Sequence, residues 1–129
     1  MLGAGERANV AGAAERLRPE IEKHAEIVVW DLQFTADLAA VEAELAIVLG
    51  GDGSILRAAH QSGYRQLPVV GVNLGKLGFL ADLSPDDFVR VLPELCTGKF
   101  RVVEHLMFEC RLDRHSQNVP GQGEWQTVN

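Results

Sequence analysis

The chain has 129 residues, of which two are cysteine, two tryptophan and one tyrosine. Cys96 and Cys110 stand far apart with no motif spacing, which excludes a disulfide framework and a thiolate metal site and reads as reduced thiols in the core of a cytoplasmic protein. His24, His60, His105 and His115 lack metal-ligand spacing. His60 stands out only because it follows the glycine block described below on the same helical segment. There is no unbroken apolar run long enough to span a membrane. A basic stretch followed by an apolar one, the mark of a secretory signal, is missing from the N-terminus. Positive charge is in the minority, with 12 Lys and Arg against 18 Asp and Glu and a net charge of −6. Broad binding to nucleic acid or an anionic membrane is therefore excluded, and any phosphate recognition must be local. No Ser/His/Asp or Cys/His nucleophile set is present.

What remains is an ordinary globular balance, 47% hydrophobic and 23% charged, in a chain of single-domain size. Val10, Ala14, Leu17 and Ile21 recur at helical spacing and predict a helix over residues 6–24. Pro19 should kink it or begin a second helix. Ile27–Trp30 reads as a short parallel strand, and Thr35–Glu44 as a short helix capped by Thr35. Leu45–Leu49 and Pro68–Val72 are continuous apolar runs, as in parallel strands covered on both faces. A helix lies between them, up to about Gln61. Ser84-Pro85-Asp86-Asp87 combines a capping hydroxyl, a proline at the first helical position and acids near the positive end of the dipole. Phe88, Val91, Leu92 and Leu95 supply that helix's apolar face, and Gly98 ends it. Pro93 inside it has no explanation at this level.

Beyond Gly98 the period changes. Leu106, Phe108, Cys110 and Leu112 alternate with polar neighbours and predict a two-faced strand. A turn at 118–123 then leads into a further strand from Glu124. Leu2–Gly5 reads as the end of a strand and a βα turn, and Trp125–Val128 is still alternating at the last residues. Both ends thus read as cut within an element.

The chemistry concentrates in two blocks. Leu49-Gly50-Gly51-Asp52-Gly53-Ser54 follows an apolar strand and opens a helix. Its three glycines let backbone amides approach a phosphate, and the helix N-terminus favours an anion. Ser54 can cap the helix or bond a phosphate oxygen. Asp52 can orient and deprotonate an attacking hydroxyl or help hold a metal. A plain Asp-Gly turn is the competing reading, but a hairpin would need a strand afterwards. The second block, Gly71-Val72-Asn73-Leu74-Gly75-Lys76-Leu77-Gly78-Phe79-Leu80, follows the next strand. Asn73 offers a donor and an acceptor to a sugar or base, and Lys76 can approach a phosphate. Phe79 can stack on a ring, although core packing is the better reading of Phe79 alone. The one-helix crossover predicts that the two blocks lie side by side at the carboxyl ends of adjacent parallel strands. Asparagine matches aspartate in size, so Asp52→Asn is expected to keep the fold while losing the base.

Together, Ile47–Leu56 and Pro68–Leu80 resemble the NAD kinases. The Gly-Gly-Asp-Gly block is shared with lipid kinases and phosphofructokinases. Asn-x-Gly-x-Leu-Gly-Phe at this separation is far more specific. The resemblance implies a Rossmann-like parallel sheet flanked by helices, the N-terminal domain of the NAD kinase/diacylglycerol kinase-like fold, passing into β-hairpin structure. It divides the chain into an α/β nucleotide-binding domain over residues 1–112 and the start of a β domain over 113–129. It implies transfer of a phosphoryl group from ATP or polyphosphate to the 2′-hydroxyl of the adenosine ribose of NAD, giving NADP.

By that resemblance Asp52 is the base. Gly50, Gly51, Gly53 and Ser54 face the phosphates. Asn73, Gly75, Lys76, Gly78 and Phe79 serve the dinucleotide, and Asn129 matches the asparagine of a family Asn-Glu pair. A divalent metal, Mg or Mn, is implied, with Asp52 its one possible protein contact. A cytoplasmic, homo-oligomeric full-length protein with no nucleic-acid or membrane partner is also implied. The family's first strand is nearly missing and its all-β domain absent, so the 129 residues alone are expected to be inactive. His105 stands where the family carries an arginine. A lipid kinase catalytic domain and a non-catalytic nucleotide-binding module are the alternatives.

Overall fold

A computed structural model describes residues 1–75 and 78–108. Three parallel strands, β1 (Leu2–Gly3), β2 (Ala46–Leu49) and β3 (Val69–Val72), lie in the order β1-β2-β3. The register pairs Leu2 with Val48, Ile47 with Val70 and Leu49 with Val72. Single parallel bridges extend the sheet at both edges, from Leu2 to Asp31 and from Val72 to Leu83. Helices α1 (Ala8–Glu22), α2 (Asp52–Ser62) and α3 (Pro85–Cys96) flank it. This is the expected α/β sheet.

The period-two alternation of the strands divides the core. Leu49 and Val72 point to one face, where Val10, Ala14, Leu17 and Ile21 of α1 meet Phe88 and Leu92 of α3. Val48 and Ala46 point to the other, against Ala58 of α2 and Leu38. Both faces of β2 are covered, which is why its sequence is unbroken apolar. Phe88 has no exposed surface, and burial of that size stabilises by about 1.5–3 kcal/mol. Ser84 caps α3 as its sequence signals: its Oγ accepts from Asp87 N at 3.1 Å, and its hydroxyl donates to Asp87 Oδ2 at 2.6 Å.

Several expectations are corrected. Residues 27–30 form no strand of their own. They run beside β1 and contribute one bridge, at Asp31, with Gly3 N donating to Asp31 O and Asp31 N to Met1 O. β1 is itself two residues long, and the pairing on that side is a single parallel bridge. The 35–44 helix is a single 3-10 turn, Leu38–Ala40, capped by Asp37 rather than Thr35, with Ala39 N donating to Asp37 Oδ1. No second helix begins at Pro19, because α1 continues through it. Pro93 likewise lies inside α3 on an exposed position. Cys96 is exposed at the end of α3 rather than in the core, and Cys110 lies outside the described residues. Of the strand expected over 106–112, residues 106–108 are described. They carry no strand, and Leu106 and Phe108 are exposed. Nothing among the described residues stands opposite them to bury that face. The expected turn and strand beyond 112 lie outside the described residues.

The chain leaves β1 for the Asp31 edge and then returns to the other side of β1 as β2. That reversal puts the sheet's switch point between β1 and β2, where crevices open at the carboxyl ends of strands. Both glycine-containing loops lie at that end.

Candidate functional site

The first loop is shaped by one glycine above all. Gly50 has φ +136°, and a Cβ there would sit 2.3 Å from Ser54 Oγ. Its N–H donates to Val72 O at 2.9 Å, tying the loop to β3. The N-cap of α2 is Gly51, with no side-chain cap. Its carbonyl accepts from Ser54 N and Ile55 N instead. Ser54 is therefore not the cap; it stands in the first helical turn. A Cβ at Gly51 or Gly53 would meet open space, so this side of the loop is free for a ligand to approach. The first-turn amides of a helix lack intrahelical partners and favour an anion there.

Asp52 is the first residue of α2, and its carboxylate crosses to the second loop. Oδ2 accepts from Phe79 N at 2.8 Å. Oδ1 accepts from Leu80 N at 2.8 Å and from Ala81 N at 3.2 Å. The side-by-side placement expected of the two blocks is thus observed, down to direct hydrogen bonds. The N–H groups of Phe79 and Leu80 hold the Asp52 carboxyl below the usual carboxylate range, partial burial works against them, and Ala81 N–H adds to the lowering. Gly78 makes the approach possible: a Cβ there would lie 2.4 Å from Asp52 Oδ1 and 2.8 Å from its Cγ.

This geometry adds a second effect to the Asp52→Asn substitution. Asparagine at position 52 would turn an NH2 group toward backbone N–H donors, so Asp52→Asn is not a neutral replacement of a base.

Asn73 is buried, at 8% exposure. Its Nδ2 donates to Ala81 O at 3.0 Å and its Oδ1 accepts from Gly75 N at 2.9 Å. The side chain shapes the loop containing Gly75. Phe79 reverses one expectation. Its side chain is 99% exposed, so the core-packing reading fails and the ring is available at the mouth of the site. Lys76 and Asn129 lie outside the described residues. His60 rides on the last turn of α2, eight residues from Asp52, or ~12 Å along the helix axis.

One residue escaped the sequence reading. Asp31, 7% exposed, accepts from the N–H groups of Gln33, Thr35 and Ala36 at 2.7–2.8 Å and from Gln61 Nε2 at 2.9 Å. Burial alone would raise its pKa. The Ala36 N–H, the Gln61 carboxamide and the N–H groups of Gln33 and Thr35 together outweigh burial and bring it to about 2. An aspartate opening a loop just after an extended run is the one available signal.

A cavity of about 760 Å³ opens at the opposite end of the sheet, bordered by Met1, Val29, Ala46, Leu67 and Leu95. It lies at the amino ends of the strands, where β1 leaves Ala46 without a partner on that side. The two loops, not this cavity, carry the polar groups that converge.

The chain matches the family model described as the ATP-NAD kinase N-terminal domain over residues 5–100. It belongs to the NAD kinase family. An NAD kinase of Rhodopirellula baltica is 50% identical over 119 residues, covering 92% of this chain and 38% of its own length. One of Geobacter sulfurreducens is 42% identical over 79 residues, 61% of this chain and 28% of its own length. One of an Azoarcus species is 33% identical over 133 residues, 92% and 45% respectively. The chain thus spans less than half the length of these NAD kinases.

Among the described residues no three His, Cys, Asp or Glu side chains gather to hold a metal. Asp52 already receives three N–H groups. The described residues therefore do not fit a protein-built metal centre. No helix among them is long and apolar enough to cross a membrane.

Proposed function

We propose that the protein carrying this domain transfers a phosphoryl group from ATP or polyphosphate to the 2′-hydroxyl of the adenosine ribose of NAD, forming NADP. The observation that carries the reading is the Asp52 carboxylate, set at the mouth of a glycine loop and joined to the second loop by the N–H groups of Phe79, Leu80 and Ala81. Gly50, Gly51 and Gly53, with Ser54, face the donor's phosphates. Asn73, Gly75 and Gly78 shape the dinucleotide side, where the Phe79 ring lies against the nucleotide. Lys76 and Asn129 complete the assignment. Family membership supports this reading over a lipid kinase.

In the transfer the ribose oxygen forms a bond to the terminal phosphorus as the bond to the bridging oxygen breaks. The electron pair of that bond leaves with ADP or the shortened polyphosphate. Asp52 receives the hydroxyl and takes its proton. A carboxylate held below its usual range is a weak base. A loose, dissociative transition state asks little of the base before the phosphoryl group has moved. A divalent ion, Mg or Mn, belongs in this reading with the donor's phosphates, which suits an ion that keeps much of its hydration shell. We place the full-length protein in the cytoplasm as a homo-oligomer.

The test is an assay of NADP formation from NAD and ATP with magnesium. It compares the 129-residue chain with the same chain joined to the downstream region of a relative. The longer protein is expected to turn over. The short chain is expected to show nothing measurable, because lost positioning can account for ~7–11 kcal/mol of a barrier. No NADP from the longer protein overturns the proposal. Comparable rates from both overturn the division of the pocket between two domains.

A further inference from the structure

Asp52 spends most of its hydrogen-bonding capacity on the protein. Of the roughly four lone-pair directions of a carboxylate, three are taken by Phe79, Leu80 and Ala81 N–H groups, two of them at Oδ1. No lysine or arginine is paired with it among the described residues. The loop that supplies these N–H groups starts at Gly78, whose absent side chain leaves the space that Asp52 Oδ1 and Cγ enter. The same loop returns to the sheet edge through Asn73 N donating to Leu83 O at 2.7 Å and the Asn73 carboxamide donating to Ala81 O. A charged acceptor facing three backbone donors is stronger than a neutral pair. Among the described residues, no other hydrogen bond ties residues 78–80 to α2.

We infer that Asp52 and Gly78 form a clamp that positions the second loop against the glycine loop, with Asp52 Oδ2 the one carboxylate oxygen left with capacity for a ligand hydroxyl. Asp52 is thus a positioning residue as well as the acceptor proposed above. Gly78 is a positioning residue that never touches the reacting atoms. The clamp has a consequence for mutagenesis: removing the carboxylate opens the loop, so the loss of turnover in an Asp52 variant mixes two effects. Only the kinetic arm of the test rests on the NAD kinase reading; the exchange arm does not.

The exchange arm follows backbone amide hydrogen exchange, residue by residue, in the 129-residue chain. Asp52→Asn is expected to lower protection at Phe79, Leu80 and Ala81 at least tenfold while α1 and α3 amides keep theirs. Gly78→Ala retains the carboxylate and is expected to do the same, since its Cβ overlaps Asp52. Because both break one clamp, the double variant should lose no more than either single one. Unchanged protection at residues 79–81 in Asp52→Asn, or losses that multiply in the double variant, would overturn the clamp. A global loss spread over α1 and α3 would also overturn it, by making Asp52 a plain stability residue.

The kinetic arm uses the extended, active protein. Gly78→Ala is expected to lower kcat at least tenfold with the carboxylate in place. Full kcat in Gly78→Ala removes the clamp from the reaction. No turnover in the unsubstituted protein fails the functional reading and leaves the exchange result standing.

Discussion

Asp31 and Asp52 solve the same local problem at two places in the fold. Each stands where an extended segment ends, and each gathers three backbone N–H groups from a loop. No salt bridge is recorded at either carboxylate among the described residues. The difference lies in what surrounds them. Asp31 is enclosed, and its fourth partner is the Gln61 side chain of α2. Asp52 opens onto a side where Gly51 and Gly53 leave space. An enclosed, fully partnered carboxylate can only hold structure. An open one with a lone pair to spare can also meet a ligand. Similar hydrogen-bond sets thus read as scaffold in one place and as chemistry in the other, and the glycines around Asp52 make the distinction.

The largest expected effect separates the two in an activity assay on the extended protein. Asp52→Ala should lower turnover by ~10²–10⁴, the usual range for a positioned acid or base, with the loss of the clamp included in that figure. Asp31→Ala should leave kcat of the folded fraction within a few-fold. A kcat loss at Asp31 as deep as at Asp52 breaks the comparison, because both would then serve the reaction.

Stability should show the reverse order. Asp31→Asn leaves buried N–H donors facing an NH2 group, and a broken buried network of this kind costs about 2–4 kcal/mol. Denaturant unfolding of the 129-residue chain measures it, and a change below about 1 kcal/mol would make Asp31 no hub.

Acid titration sharpens the same point. Asp31 has a folded pKa of about 2 against an ordinary 3.8. In that window the unfolded chain binds more protons. The stabilisation is therefore complete above about 3.8 and is lost as pH falls through about 2, roughly 2–3 kcal/mol in all. In Asp31→Asn that part of the acid limb should flatten. An acid limb identical to that of the unsubstituted chain would assign the loss of stability to other carboxylates.

How visible each carboxylate was in the sequence follows from its neighbours. Asp52 sits among three glycines between an apolar strand and a helix, and local spacing sufficed to find it. The parallel sheet was legible for the same reason: Leu45–Leu49 and Pro68–Val72 need both faces covered wherever they sit. Asp31 was not legible, because its partners at Gln33, Thr35, Ala36 and Gln61 form no periodic pattern and one lies thirty residues away. An asparagine in a loop, such as Asn73, looks available to a ligand. Only the return of the chain at Ala81 and Leu83 shows that it also holds the fold. Phe79 runs in the opposite direction. A phenylalanine is usually buried, whereas this one is exposed while its N–H is held by Asp52, a contact between distant residues. The 3-10 turn at Leu38–Ala40 replaced a helix because Asp37 caps one turn and Val41 is already extended.

The smallest expected effect lies beside Asp31 and belongs to the 129-residue chain as assayed, in which Met1 carries a free amine. Met1 is 9% exposed, and its ammonium group donates to Val29 O inside the sheet. Burial lowers its pKa below the ordinary 8.0, against an opposing pull from the Asp31 carboxylate. The unfolded amine therefore keeps its proton to higher pH than the folded one. Stability should rise with pH through the window just below about 8. Acetylating the N-terminus retains an N–H for Val29 O and removes the charge. The acetylated chain should be more stable by about 1 kcal/mol at pH 6, the scale of a modest burial penalty, and the two should converge above pH 8. Equal stability at pH 6 would mean that Asp31 fully compensates the buried ammonium. Asp31 would then offset the burial of that amine in the assayed chain as well as hold its own loop, a role for which Asp52 has no counterpart.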